Sequence, residues 1–367
     1  MSTIIYSFLT LAFFLLIVEY FFLYFYKKKN NFSYKFIKKI PLNKILFLSH
    51  PYLPYVKKSN SISPLEEVVN YPLGKILAPK LYTNSMGYHN GFDGRREVKV
   101  PKPNNLIRIN CIGGSTTQNC IKHENKNFSY PILLEENLKK KYSNLDIEVN
   151  NFGQGGYNSA EILISSMLKL IDTTPDYVII YHGYNDIRSY LTNDFKSDYS
   201  HSRQNISNVK FKLYLNNLFP QIPINFINYI INKIFPSSNL RYSLLDLVSV
   251  GKIDLYNDYK EGLKVYKRNL SNIINLYQAN NSKIILSSFC FYLHEKVKNS
   301  KMHNKYMEIV KLENDVVFDL SKTHKTIFID ADNLINKNIE NFLDTIHFSI
   351  QGMKNFSKII SEKIILN

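Results

Sequence analysis

The chain has 367 residues, room for one large domain or two small ones, and carries 46 Lys+Arg against 30 Asp+Glu for a net charge of +16. Its lysines are scattered, and no helix-turn-helix, zinc-finger or RNA-binding signature accompanies them, which argues against nucleic acid as a partner. Three cysteines (Cys111, Cys120, Cys290) make neither a disulfide framework nor a metal-ligand spacing.

Thr3 to Tyr26 is almost wholly apolar and long enough to cross a bilayer with some tilt. A cleaved signal peptide would show a basic start, a shorter apolar core and a small-residue cleavage site. Instead Lys27, Lys28 and Lys29 follow directly, so the sequence predicts an uncleaved single-pass transmembrane anchor over residues 1–26. Glu19, inside that span, reads as a group near one end that reaches the interface or is protonated. The basic flank on the C-terminal side would place the body in the cytoplasm. Lysine is abundant throughout, however, and the orientation stays open at this point. For a tethered protein, attraction to anionic headgroups is the simple consequence of the positive charge.

Residues 27–103 read as a basic, Pro-punctuated stalk closing on a lead-in, Tyr82-Thr83-Asn84-Ser85-Met86-Gly87-Tyr88, whose Asn and Gly suggest turns. From residue 104 the pattern is regular. Strands are expected at Leu106–Ile112, Asp146–Phe152 and Tyr177–His182, with helices near Ser129–Lys141 and Ser159–Ile171; Pro175 stops the second helix. Residues 190–256 break the rhythm. They are rich in Asn, Tyr and Phe, are interrupted by Pro220, Pro223 and Pro236, and read as a lid or cap inserted in the domain. Helix and strand then alternate again: Asp258–Gln278, Lys283–Phe291, Lys305–Leu320, Thr326–Ile329 and a final helix over Ile350–Ile365. Alternation of this kind predicts an α/β fold, a parallel sheet covered by helices on both faces, with ligands bound at the carboxyl ends of the strands.

Three short segments stand at those ends: Gly113-Gly114-Ser115-Thr116-Thr117, Asn151-Phe152-Gly153-Gln154-Gly155-Gly156 and Gly183-Tyr184-Asn185-Asp186. A fourth, Asp344-Thr345-Ile346-His347, precedes the last helix. Ser115 could be a nucleophile or merely a helix cap. His347 is the candidate base and Asp344, three residues earlier, the group that would orient its imidazole; the same two residues could simply start the final helix. Ser115 N–H, Gly156 N–H and the Asn185 amide are candidate oxyanion donors, although Gly156 and Asn185 could each serve only a turn. Jointly the four segments favour nucleophilic acyl transfer. His182 and Asp186 read as strand-end and turn residues near the cleft. The Gly-x-Ser-x-Gly elbow is not met, because Thr117 holds its last place, and no Lys follows the glycines as a P-loop requires. No metal and no cofactor are called for.

These four segments resemble the blocks of the SGNH (GDSL-type) hydrolases, whose Ser, Gly, Asn and His correspond to Ser115, Gly156, Asn185 and His347, with Asp344 matching the acid before the His. The resemblance covers roughly residues 82–190 and 258–365; Gly114 departs from it, since many members carry Asp there, and the 190–256 insert has no counterpart. It implies a flavodoxin-like three-layer α/β/α sandwich with a five-stranded parallel sheet. It also implies cleavage of esters or thioesters, or transfer of acetyl groups on glycans. The expected protein is a membrane-anchored serine esterase or deacylase whose substrate is an acylated small molecule, a glycan or a lipid ester. A glycan O-acetyltransferase and a catalytically silent glycan-binding module are the alternatives. Anchored members often work outside the cytoplasm, which favours the exoplasmic or periplasmic side. The sequence says nothing about self-association.

Overall fold

The apolar runs that read as buried strands do form one sheet. A computed structural model describes residues 6–7, 9–18, 46–62, 67–78, 82–204 and 251–366. Its central sheet holds five parallel strands, β1 (Leu106–Gly113), β2 (Asp146–Gly153), β3 (Tyr177–Tyr181), β4 (Lys283–Ser287) and β5 (Ile327–Ile329), in the spatial order β2-β1-β3-β4-β5. Strands buried on both faces need apolar side chains on both, and Ile109, Val178, Ile179 and Ile285 are all fully buried. The strand order reverses between β1 and β3, the place where an open α/β sheet leaves a crevice. Register sharpens the point: Gly113 pairs with both Gly153 and Tyr181, so the three loops that follow leave the sheet side by side.

Among the described residues from 104 on, the α-helices longer than one turn are, in chain order, α1 (Tyr130–Lys141), α2 (Ser159–Ser165), α3 (Asn185–Tyr190), α4 (Lys260–Ala279), α5 (Lys301–Thr323) and α6 (Ile350–Lys363). α1 packs with α6, whereas α2 and α5 both pack on α4. Ser129 caps α1 and Pro131 sits in its first turn; Asn158 and Glu161 form a reciprocal capping box on α2. The expected helix to Ile171 keeps its extent but changes its winding. After Ser165 it continues as a π turn (Ser166–Leu170) and a 3₁₀ turn (Ile171–Thr173), which ends at Thr174 in the left-handed region. β4 is shorter than expected and stops at Ser287, because the N–H groups of residues 288–291 donate instead to β5 and to the side chains of Asn314, Tyr181 and Asp332.

Two features depart from the sequence reading. The helix after Ser115 is a single turn, Ser115–Gln118, and the chain then makes a hairpin (Ile121–His123 with Lys126–Phe128) before α1 begins. That hairpin joins Glu67–Asn70 and Lys75–Ala78 in a four-stranded antiparallel sheet. The segment that reads as a stalk and lead-in therefore contributes, over its described part, to the body itself. Leu53, Tyr55, Tyr88 and Val98 belong to the main core. Asn84 and Gly87 make the turn their residue types suggest, with the Asn84 carboxamide oxygen accepting from the Met86 and Tyr88 N–H groups. Asn90 then joins β2 through Asn150 and Asn151.

Half of the expected anchor, residues 3–26, lies outside the described residues, as do Glu19 and Lys27–Lys29. Its described part, 6–7 and 9–18, is helical. Among the described residues no helix is long and apolar enough to cross a membrane. Of the insert, 205–250 lies outside the described residues, but its two ends meet: Thr192 bridges Ile253, and Asp254 N–H donates to the Leu191 carbonyl at 2.8 Å.

Candidate active site

Ser115 opens its turn at the end of β1, and its hydroxyl lies 3.0 Å from His347 Nε2. The other ring nitrogen, Nδ1, is 2.7 Å from Asp344 Oδ2. With the proton on Nδ1 donated to the carboxylate, Nε2 is free to accept from the serine O–H, the tautomer that base catalysis needs. Asp344 Oδ1 accepts from the backbone N–H groups of Ile346 (2.8 Å) and His347 (2.7 Å), so one carboxylate shapes the loop and orients the ring. Burial works to raise the Asp344 carboxyl. The His347 imidazole and these hydrogen bonds outweigh it and hold the group below the usual carboxylate range.

The loop carrying Asp344 and His347 is fixed from several sides. Phe342 bridges Phe348, Leu343 N–H donates to the His347 carbonyl at 2.8 Å, and the Asn119 carboxamide donates to the Phe348 carbonyl at 3.0 Å. The last bond ties the serine turn to the histidine loop. Phe348, next to His347 in the chain, stacks on Tyr181 at 5.8 Å and meets Phe356 of α6 at 5.4 Å, an aromatic cluster that anchors the loop.

The oxyanion candidates gather beside the serine. Asn185 is the first residue of α3; its Nδ2 donates to the Tyr157 carbonyl at 2.8 Å, which leaves its second amide hydrogen over. A Cβ on Gly114 would come within 2.5 Å of that Nδ2, so the absent side chain is the space the Asn185 amide fills. Gly156 adopts φ +77, open to glycine at little cost, and a Cβ on Gly155 would be 3.9 Å from the Cβ of Ser115. Among the described residues neither the Ser115 nor the Gly156 N–H donates to a backbone carbonyl. Structure thus brings together all five residues singled out from sequence.

His182 and Asp186 have another task. Both are buried, with His182 Nε2 2.5 Å from Asp186 Oδ2, and Asp186 also accepts from Ser159 N–H (2.9 Å), Ser159 Oγ (2.5 Å) and Tyr199 Oη (2.7 Å). They bolt the start of α2 to the start of α3, behind Asn185. Sequence reasoning missed four further residues. Gln118 Oε1 accepts from Gly155 N–H at 2.6 Å, Tyr55 donates its hydroxyl to the Gly155 carbonyl, and Arg203 donates to the Gly156 carbonyl while pairing with Glu161. The fourth is Tyr71, whose ring meets His347 edge-on at 5.7 Å. Burial and the Asp344 charge push its hydroxyl up to about 12. A signal for Tyr71 exists: Tyr71-Pro72-Leu73-Gly74 is turn chemistry between two short β-prone runs. Lone residues such as Tyr55 and Arg203 carry no such signal.

No curated protein matches the chain. Solved structures that resemble it include Axe2, an acetylxylan esterase from Geobacillus stearothermophilus, with 15% identity over 71% of this chain and 95% of that one at a TM-score of 0.42. Others are a GDSL-like lipase from Parabacteroides merdae (13% identity, 73% and 98% covered, TM-score 0.44) and LAE5, an α/β hydrolase from the Lake Arreo metagenome (13%, 70% and 94%, TM-score 0.40). The sequence pattern of the GDSL-like lipase/acylhydrolase family matches residues 111–354, a stretch running from the serine turn to the last helix. The chain belongs to that family, and it is an ester-hydrolysing enzyme.

Proposed function

We propose that the protein is a membrane-anchored serine esterase or deacylase that removes ester-linked acyl groups, from glycans or lipid esters, through an acyl-enzyme. The observation that carries the reading is the unbroken hydrogen-bonded chain from Ser115 through His347 to Asp344. Ser115 Oγ attacks the acyl carbonyl as His347 Nε2 takes its proton, and Asp344 steadies the resulting imidazolium. The carbonyl oxygen, now negative, is held by the N–H groups of Ser115 and Gly156 and by the Asn185 amide. His347 returns its proton to the leaving alcohol. Water, activated by the same imidazole, then cleaves the acyl-serine and restores the enzyme.

Residues 3–26 tether the enzyme, and the body works on the exoplasmic or periplasmic face, where acylated surface glycans and lipids are found. Hydrolysis of short-chain p-nitrophenyl esters by the purified chain tests the chemistry. Ser115→Ala and His347→Ala are each expected to lower kcat by at least about 10³-fold with the fold intact; retention of activity in either would refute the assignment. Acetyl release with and without a glycan acceptor separates hydrolysis from transfer. Protease accessibility on intact cells tests the side of the membrane.

A further inference from the structure

The glycine turn after β2 is held peptide by peptide. Each peptide unit is planar and trans, so its C=O and N–H point in opposite directions, and a group that holds one end aims the other. Gln118 Oε1 accepts from the Gly155 N–H and so holds the unit between Gln154 and Gly155. Arg203 donates to the Gly156 carbonyl and holds the unit between Gly156 and Tyr157. The unit between them contains the Gly155 carbonyl and the Gly156 N–H, and its carbonyl accepts from the Tyr55 hydroxyl.

Tyr55 is well placed for this. It lies on the short hairpin Phe47–Leu48/Val56–Lys57, buried to 1% exposure, with ring contacts to Phe47 at 4.9 Å and Tyr157 at 5.2 Å. Tyr157 returns the bond by donating its own hydroxyl to the Tyr55 carbonyl at 2.5 Å. Burial raises the Tyr55 hydroxyl well above its ordinary value, so it remains a proton donor at any working pH. Glycine at 155 and 156 gives this turn unusual torsional freedom, and without a hydrogen bond on the carbonyl the unit could rotate its N–H away from the serine.

We propose that Tyr55 is a positioning residue for the oxyanion hole: by holding the Gly155 carbonyl it aims the Gly156 N–H at the carbonyl oxygen of the substrate. This inference rests on the reading of Gly156 as an oxyanion donor. It also assigns a catalytic consequence to a residue that lies upstream of the stretch matching the family, 111–354.

Tyr55→Phe in the full chain is the test, since it removes one hydroxyl and keeps the ring in its contacts. Active sites are counted by end-point titration with a fluorophosphonate, so that kcat is expressed per competent site. A second measurement is inhibition by a small boronic acid, which forms a tetrahedral adduct on the serine and needs the same N–H. The expected result is a fall in kcat of about 10- to 100-fold per titrated site, with KM changed less than about threefold and boronate affinity weakened in parallel. Unchanged kcat per titrated site, beside an inactive Ser115→Ala, would overturn the role of Tyr55 and leave the serine mechanism standing. Activity lost only in proportion to the titratable fraction would mean that Tyr55 serves folding alone, and would overturn it too. An active Ser115→Ala would bring down both readings.

Discussion

At the scale of single residues, the site is crowded with groups whose neighbours leave no room for substitution. Gly114 is one. The Asn185 amide occupies the place of its missing side chain, so Gly114→Ala should push that amide aside without disturbing the sheet. We expect kcat to fall about 100-fold at an unchanged melting temperature, read from ester hydrolysis beside thermal unfolding. Asp344 offers a pH test. Its carboxyl titrates below the unfolded value near 3.9, so the stability it contributes is present above that value and is lost as pH falls through the lower folded one. Asp344→Asn should therefore unfold more readily than the parent at pH 7, by about 1–3 kcal/mol, with the gap closing in strong acid. A gap that stayed constant across the titration would contradict the linkage.

At the scale of elements, the central strands were readable because burial on both faces demands runs such as Tyr177–Tyr181, which are apolar throughout. Three of the four site segments were readable for a related reason: they combine glycines with chemistry-bearing side chains where such runs end. The fourth, Asp344–His347, has no glycine and was readable from its Asp and His three residues apart before the last helix. The accessory sheet was not, since its strands have three or four residues and Lys75, Lys122, His123 and Lys126 blur any alternation. The π turn in Ser166–Leu170 leaves no mark on periodicity over so few residues. The histidine loop illustrates how an element supports chemistry. Phe348 is buried between Tyr181 and Phe356, and Phe348→Ala should cost about 3–5 kcal/mol by opening a cavity. Because His347 is its neighbour, kcat should fall as well, even at temperatures where denaturant titration shows the variant folded.

At the scale of the whole molecule, sequence pattern located the enzyme but not its full perimeter. The stretch 111–354 omits everything before Cys111, β1 up to Asn110 included, and the end of α6. The described residues between 46 and 103 supply core side chains and two site contacts, Tyr55 and Tyr71. A chain beginning at residue 46 should therefore fold and hydrolyse esters with the kcat of the full chain. One beginning at residue 104 should lose the buried Leu53, Tyr55, Tyr88 and Val98, and we expect it to aggregate or melt at least about 10 °C lower. Calorimetry and ester hydrolysis on the two truncations check this.

The turn Tyr71–Gly74 carries a last consequence. Its backbone is hydrogen-bonded to the histidine loop, Leu73 N–H to the Leu343 carbonyl at 3.0 Å, and Lys296 reaches across to the Pro72 carbonyl. A stretch that precedes every strand of the central sheet in the chain thus meets His347 directly, through the Tyr71 ring. Any chimera that grafts a relative's hydrolase body onto this leader would have to carry the turn with the histidine, as one inherited unit.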